Sequence, residues 1–147
     1  MTLITILTWL VCYTGICHTE SVTVSPEALA IATCESGDTV TLGTANWSAI
    51  NTNEDGTIDS GAWQFNDYWV WSSDDTWAIR PVANALDESS QTFLQKYPIA
   101  AAAPPHVQYA MFNHLWDNGY GWEHWSASKP CWSQWLTINK KGQAVMR

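Results

Sequence analysis

The chain has 147 residues, with six Lys and Arg residues against fourteen Asp and Glu residues and a formal net charge of −8. This length suits one domain with a short additional segment. The excess of carboxylates argues against nucleic-acid binding, because that affinity comes mainly from Lys and Arg on phosphates. Eleven Trp residues are unusual. We expect about half of them in the core, because Trp has a large apolar area to bury, and others to offer stacking faces to sugar rings.

Residues 1–17 form an apolar segment without a charged side chain. The segment is too short to predict a membrane span, which needs about 20 residues. Its length and the small residues Gly15 and Cys17 favour a secretory signal or a membrane anchor, although no Lys or Arg precedes the apolar run. A buried strand or helix of the domain is the alternative. The first interpretation predicts a secreted or cell-wall-associated protein, with membrane contact through this segment only.

A helix is predicted to begin after Ser25, because Ser is a preferred N-cap, Pro26 suits the first turn and Glu27 suits the positive helix end. Gly37 suits the end of this helix. Glu35 then falls in the last turn, where the negative end of the helix disfavours a carboxylate. An acid held where its charged form is disfavoured indicates a functional group. A frayed, solvated helix end is the alternative.

Residues 38–66 are rich in Thr, Asn, Asp, Gly and Ser and contain short apolar-polar alternations. They predict a small β-hairpin whose turn is the Asn-Glu-Asp-Gly sequence at residues 53–56. Asp59 follows this turn, just ahead of a Gly-Ala-Trp-Gln-Phe run. A second carboxylate is therefore expected on a different element from Glu35. Residues 67–71 are expected to form a short helix.

The second half of the chain predicts two helices, over residues 80–97 and 106–118, from the helical spacing of their apolar residues. Residues 100–105 between them read Ala-Ala-Ala-Ala-Pro-Pro and predict a linker or turn. Residues 119–125 predict an aromatic loop. The tail, residues 133–147, is expected to be peripheral.

Four cysteines divide between the apolar segment, which holds Cys12 and Cys17, and the body of the chain, which holds Cys34 and Cys131. In an exported protein the pair in the body predicts a disulfide. That bond would close a loop of nearly 100 residues, and it would stabilise the fold by up to ~4–5 kcal/mol in the chain-entropy description. Two buried free thiols are the alternative.

Two carboxylates from separate elements, in a Trp-rich chain, predict acid chemistry on a sugar polymer. Glycoside cleavage needs an acid that protonates the leaving oxygen while positive charge develops on the sugar ring. A Glu in an apolar, aromatic environment keeps its proton near neutral pH, because burial disfavours the anion. The second carboxylate attacks the anomeric carbon, activates water or stabilises the cation, according to its separation from the first.

Three stretches resemble the resuscitation-promoting-factor or transglycosylase-like domain: Ile31-Ala-Thr-Cys-Glu-Ser-Gly37, Asn46-Trp-Ser-Ala-Ile-Asn51 and Gly61-Ala-Trp-Gln-Phe65. The late Gly121-Trp-Glu-His-Trp125 and Cys131 are similar to that domain's closing Trp and Cys. The resemblance covers about residues 26–132. It implies that residues 25–132 form a lysozyme-like α+β domain, mostly helical, with a small β-hairpin flanking a substrate cleft. It also implies a peptidoglycan-cleaving activity, with Glu35 as catalytic acid and a Cys34–Cys131 disulfide.

Residues 51–66 resemble the β-hairpin segment of animal-type lysozymes, in which the Asp of a Gly-x-Thr-Asp-x-Gly-hydrophobic-Gln-Ile-Asn pattern is the second catalytic carboxylate. That resemblance implies a catalytic or stabilising role for Asp59. The resuscitation-factor family generally works with one Glu, so the two resemblances disagree about this residue. An Asp that caps the hairpin turn is the alternative.

Further candidates surround this pair. Gln64 is a candidate for a hydrogen bond to substrate or to backbone. Four Trp residues are candidates for stacking on sugar, with core packing as the alternative for each: Trp47, Trp63, Trp69 and Trp122. His106, His114 and His124 lack zinc-site spacing and are expected at the surface or at helix ends, so we predict neither a metal nor another cofactor.

The predicted activity is cleavage of the β-1,4 bond between N-acetylmuramic acid and N-acetylglucosamine in peptidoglycan, by a monomer that does not bind nucleic acid. Three alternatives stay open: a lytic transglycosylase that forms an anhydro sugar, a glycan-binding module that no longer cleaves, and a phage-encoded enzyme with the same chemistry.

Overall fold

The structure is a computed structural model that describes the backbone of residues 5–13, 16–72 and 77–147, and the side chains within these ranges from residue 21 onward. Strand β1 (Thr5–Tyr13) pairs antiparallel with β2 (Ile16–Val24). The predicted apolar segment therefore supplies a strand where it is described, and its residues 1–4 and 14–15 lie outside the described ranges. No helix in the described parts of the chain is both long and apolar enough to cross a membrane. Removal of this segment as a signal stays a prediction.

Helix α1 (Pro26–Glu35) begins as the sequence predicts. The Ser25 side chain accepts a hydrogen bond from the Ala28 backbone N–H, and Pro26 occupies the first turn, where a missing N–H costs nothing. The stretch from Ala28 to Thr33 is buried, so the middle of the helix lies in the core. Glu35 is the last helical residue and Ser36 is the C-cap, which places the carboxylate at the helix end.

A three-stranded antiparallel sheet follows: β3 (Ile50–Thr52), β4 (Ile58–Ser60) and β5 (Phe65–Asn66). The predicted turn at residues 53–56 connects β3 and β4, and Gly56 provides the positive φ of 87° that the turn requires. The short helix expected over residues 67–71 is wrong, because these residues form hydrogen-bonded turns. Within these turns the Asn66 side-chain oxygen accepts the N–H groups of Tyr68 and Trp69.

The single helix predicted over residues 80–97 is in fact two helices, α2 (Ile79–Ala85) and α3 (Ser90–Lys96). Asp87 adopts a left-handed φ of 56°, which ends the helical path. Ser89 then caps α3 by accepting the Thr92 N–H. The linker that follows α3 contains one 3-10 turn, Ala100–Ala102.

Helix α4 (Pro105–Trp116) matches the second predicted helix within two residues at each end. It ends at Asp117, which has a left-handed conformation, and irregular 3-10 turns continue over Asp117–Ser128 to the short helix α5 (Lys129–Trp132). The predicted aromatic loop lies in these turns.

The tail, expected to be peripheral, forms the hairpin of β6 (Leu136–Ile138) and β7 (Ala144–Met146). That expectation is wrong, because Leu136 and Ala144 are buried in the core. Gly119 also lies so close to the Ala144 backbone that a Cβ atom on Gly119 would collide with it. The domain therefore includes the C-terminal residues.

The described parts of the chain have an α+β architecture around one hydrophobic core. About half of the Trp residues are buried, as expected: Trp47, Trp63, Trp71, Trp116, Trp125 and Trp132. A buried polar residue, Gln108 of α4, joins three segments. It accepts the Ala62 N–H at 2.9 Å and donates to the Trp47 and Ala103 carbonyls at 3.1 and 2.9 Å. These bonds hold the small sheet against α4 and fix one wall of the site.

Candidate functional site

A cleft of about 240 Å³ separates the end of α1 from the small sheet. Glu35 enters it from the last turn of α1, and Asp59 enters it from the middle of β4. The remaining lining residues come from the β4–β5 region and from the segment around α4 and the 3-10 turns: Trp63, Gln64, Phe65, Asn66, Val70, Leu115, His124, Trp125 and Ala127. The fold thus brings the two predicted carboxylates to one cavity.

The Glu35 carboxyl has a pKa raised from its ordinary value of 4.5 to about 7. Burial is the main cause, because the apolar surroundings disfavour the anion. A hydrogen bond from Ser128 opposes this rise, and the charge of Asp59 adds to it. Glu35 is therefore a carboxylic acid that still carries its proton at near-neutral pH.

The Ser128 hydroxyl is a polar neighbour of Glu35 that sequence reasoning missed. It lies within hydrogen-bonding reach of Glu35 and also 3.2 Å from the Trp125 carbonyl. Its single proton can serve one acceptor at a time. Donation to an ionised Glu35 stabilises the anion, so Ser128 moderates the effect of burial on the Glu35 pKa.

Both oxygens of the Asp59 carboxylate accept hydrogen bonds from amide side chains. Asn53 donates to Oδ2 at 3.0 Å, and Asn66 donates to Oδ1 at 2.8 Å. Asn66 lies directly opposite Asp59 in the β4–β5 register, and Asn53 opens the hairpin turn. The sheet therefore holds Asp59 in one orientation. Asp59 does not cap the turn itself, since Asp55 accepts the Thr57 N–H there.

Gln64 borders the cleft, but its side chain is already hydrogen-bonded within the protein. Its Oε1 accepts from Asn51 Nδ2, and its Nε2 donates to the Gly61 carbonyl at 3.0 Å. Its φ of 53° is unusual for a residue with a side chain, and such conformations concentrate at functional sites. Gln64 thus shapes the cleft wall at the point where β4 turns into β5.

Trp47 and Trp63 are wrong as sugar-stacking residues, because their side chains are buried. Trp63 has no exposed surface, and its indole N–H donates to the Ala28 carbonyl at 2.8 Å. Trp47 is 4% exposed and packs edge-on against Trp63. Both rings are core groups, so neither offers an exposed face to a sugar.

Trp69 is 68% exposed and directly precedes Val70, which lines the cleft. It packs edge-on against Tyr68, which is also exposed. Trp122 is not among the residues that line the cleft. Its indole N–H donates to the Gly142 carbonyl, and the Lys129 ammonium group lies over its ring. Of the four Trp candidates, Trp69 is the most exposed and lies next to a residue of the cleft lining.

The disulfide between Cys34 and Cys131 is confirmed, with the two Cα atoms 5.8 Å apart. It joins the last turn of α1 to α5 across 97 residues of sequence. Cys34 directly precedes Glu35, so the bond fixes the helix end that carries the acid.

The side chains of His106, His114 and His124 are exposed, as expected, and His124 also lines the cleft. Partial burial lowers the pKa of His124, so its imidazole favours the neutral form. Among the described side chains, no group of three or more His, Cys, Asp or Glu residues is arranged to hold a metal ion.

Comparison of the chain with known protein families, with curated proteins and with solved structures finds no match. The cleft combines a proton donor in an apolar wall with a fixed carboxylate on the facing sheet, and the exposed Trp69 is adjacent in sequence to Val70 of its lining. Such a set of groups can protonate a leaving oxygen on one side of a bond and respond to positive charge on the other.

Proposed function

We propose that this protein cleaves the glycan strands of peptidoglycan, at the β-1,4 bond between N-acetylmuramic acid and N-acetylglucosamine. Glu35 is the general acid and Asp59 is the second carboxylate. The proposal includes a lysozyme-like arrangement of the α+β domain, in agreement with the two resemblances in the sequence. The observation that carries it is a Glu35 pKa of about 7 in a cleft that also holds Asp59.

The different environments of the two carboxyl groups support different roles, with Glu35 as the proton donor and Asp59 as the second carboxylate. An acid catalyst must hold a proton at the working pH, which burial of Glu35 favours. The second group must lie where it can attack or stabilise a cationic sugar, and the Asn53 and Asn66 hydrogen bonds hold Asp59 in a fixed position. Two carboxyl groups with opposed environments are typical of acid-base assignments in glycosidases.

The fixed position of Asp59 favours hydrolysis over the lytic transglycosylase route. A transglycosylase uses a hydroxyl group of its own substrate in place of water and needs no second carboxylate. Here, two amide donors and a strand position orient Asp59 toward the cavity that contains the acid. These two hydrogen bonds to Asp59 support a chemical role for its carboxylate.

The disulfide supports an extracytoplasmic setting for the proposed activity, because disulfides persist in oxidising compartments. Peptidoglycan also lies outside the cytoplasm. We therefore propose that the protein is secreted or associated with a cell wall.

Release of soluble fragments from purified peptidoglycan tests the proposal. The wild-type protein is expected to release them, and Glu35→Gln is expected to lose at least about a hundredfold in rate, the scale of general acid catalysis. Glu27→Gln is the matched control, since it makes the same change at the opposite end of the same helix. Equal rates for Glu35→Gln and wild type would reject the assignment, and binding without any release would favour a glycan-binding module.

A further inference from the structure

The cleft that holds Glu35 and Asp59 has acidic surroundings without a permanent positive charge. Neither Lys nor Arg is among the described residues that line it, and the lowered pKa of His124 favours its neutral form. Two further acids are adjacent in sequence to lining residues, Asp67 on the sheet side and Glu123 next to His124. Asp59, Asp67 and Glu123 form no ion pair with any described residue.

The basic residues of the protein are directed to other groups. All six Lys and Arg residues lie in the described part of the chain and outside the cleft lining. Lys96 pairs with Glu88 at 2.8 Å, and the Lys129 ammonium group lies over the Trp122 ring, 4.6 Å from its centroid. Arg147 Nε donates to two backbone carbonyls of the C-terminal region. These contacts leave the negative charge at the cleft without a direct counter-charge.

We propose that the cleft prefers glycan strands whose glucosamine rings carry free amino groups in place of N-acetyl groups. At slightly acidic pH such an amine takes up a proton and becomes an ammonium cation. The inference rests on the proposed function and names the substrate class for the same site, which is N-deacetylated peptidoglycan in preference to fully N-acetylated strands.

The acids at the cleft attract an ammonium group and have acceptor positions for it. A cleft with charge of one sign and walls of low dielectric constant concentrates ligands of the opposite sign. A carboxylate has about four acceptor positions, and Asn53 and Asn66 occupy two of those on Asp59. Asp67 Oδ1 accepts the Ile58 N–H at 2.8 Å, which leaves Oδ2 without a hydrogen bond to a described residue.

The same charge disfavours anionic ligands. Phosphate-rich wall polymers and free carboxylates usually bind through Arg or Lys, and the described lining supplies neither. A fully N-acetylated ring is uncharged, so it gains no attraction from the acids around the cleft. The charge on the amine therefore distinguishes the preferred substrate from both of these classes.

Calorimetric titration of the full chain with Glu35→Gln, which removes the proposed acid and so prevents cleavage, measures the preference. The two probes are four-ring β-1,4 oligomers of glucosamine and of N-acetylglucosamine, which differ only in their acetyl groups. At about pH 6 and low ionic strength we expect the glucosamine oligomer to bind at least about threefold more tightly, the scale of one or two exposed charge pairs. At about 1 M salt, where the screening length is about 3 Å, this advantage is expected to disappear.

Asp67→Asn and Glu123→Gln, each in the Glu35→Gln background, test where the attraction arises. Each removes one charge beside the cleft, and the first keeps an oxygen that can accept the Ile58 N–H. Each is expected to reduce the advantage by about twofold. Asp87→Asn is the matched control, because it makes the same change in net charge at an exposed residue between α2 and α3. Asn also tolerates the left-handed conformation at that position.

The outcomes separate this preference from the proposed activity. The inference is rejected if neither oligomer binds, if the N-acetylated oligomer binds as tightly at low ionic strength, or if salt leaves the advantage unchanged. An equal loss in Asp87→Asn would also reject it, because net charge alone would then explain the attraction. If the preference appears while wild type releases nothing from N-acetylated or N-deacetylated peptidoglycan, the binding preference holds and the proposed activity fails. Release by wild type without the preference would give the reverse result.

Discussion

Asn66 connects the cleft that holds Glu35 and Asp59 to the exposed residues Tyr68 and Trp69. Its Nδ2 donates to Asp59 Oδ1 at 2.8 Å, and its Oδ1 accepts the backbone N–H groups of Tyr68 and Trp69, each at 3.0 Å. One side chain therefore orients the second carboxylate and forms the turn that presents the exposed aromatic pair. This relationship makes Asn66 a positioning residue for Asp59.

Asn66→Asp tests this role while keeping an oxygen that can accept the two turn N–H groups. The variant removes the donor to Asp59 and places a second carboxylate beside it, so kcat is expected to fall by about tenfold or more, with a smaller change in KM. Peptidoglycan turnover as a function of substrate concentration separates the two constants. Asn46→Asp is the control, because it adds the same charge at an Asn whose Oδ1 also accepts a backbone N–H. Equal losses in both variants would point to charge alone.

Activity is expected to decline as pH rises through about 7, because Glu35 then loses the proton that it must donate. Two variants are expected to move this decline in opposite directions. Asp59→Asn removes a negative charge that raises the Glu35 pKa, so the decline shifts to lower pH. Ser128→Ala removes a hydrogen bond that lowers it, so the decline shifts to higher pH.

The measurement for this pair is the pH profile of kcat/KM on soluble glycan fragments, with residual activity of Asp59→Asn measured at high enzyme concentration. Ser128→Ala gives the stricter test, since Ser128 is not proposed to take part in the chemistry. A profile for Ser128→Ala that coincides with wild type would show that this hydroxyl does not act on Glu35.

Glu35→Gln is expected to stabilise the protein above neutral pH. Below pH 4.5 the acid is protonated in both states and has no effect on the free energy of unfolding. Between pH 4.5 and about 7 the unfolded chain releases the proton while the folded state retains it, so wild-type stability falls as pH rises. Above that range the cost reaches about 3 kcal/mol, from about 1.4 kcal/mol per pKa unit.

Urea unfolding of both proteins at pH 4 and pH 8 measures this difference. Glu35→Gln is expected to exceed wild type at pH 8 and to match it at pH 4. A constant difference at both values would mean that the substitution acts through packing and not through the buried charge.

Loss of the disulfide is expected to cost about 3–5 kcal/mol, because the bond closes a long loop in the unfolded chain. Cys34→Ser with Cys131→Ser tests this without leaving a free thiol at either position. Since the bond also holds the end of α1, activity is expected to fall even at temperatures where the variant remains folded. Denaturant unfolding measures the loss of stability, and fragment release at low temperature measures the loss of activity. Unchanged activity in the folded variant would mean that the disulfide contributes to stability alone.

The elements that sequence reasoning located correctly depend on local chemistry. Ser25 and Pro26 define the start of α1 within their own backbone, and the turn before Gly56 needs a residue that tolerates positive φ. The disulfide followed from counting cysteines. The break between α2 and α3 was missed, because the apolar spacing continues across it while Asp87 and Ser89 redirect the backbone.

The burial of individual residues could not be predicted, because it depends on contacts between distant segments. Trp63 and Trp69 lie six positions apart, yet one is enclosed by α1 and α4 and the other is exposed at a turn. The hydrogen-bonding partners of Asp59 also depend on strand register. Glu35 and Asp59 could be identified as candidates from the sequence. The roles of Asn53, Asn66 and Ser128 beside them could be identified only from the folded structure.

Cleavage of peptidoglycan in water enriched in oxygen-18, followed by mass spectrometry of the fragments, tests the central claim most directly. If Glu35 protonates the leaving group and Asp59 supports attack by water, the new reducing ends carry one heavy oxygen, and Asp59→Asn suppresses their formation. Unlabelled anhydro sugars, formed at the same rate by wild type and Asp59→Asn, would contradict two-carboxylate hydrolysis.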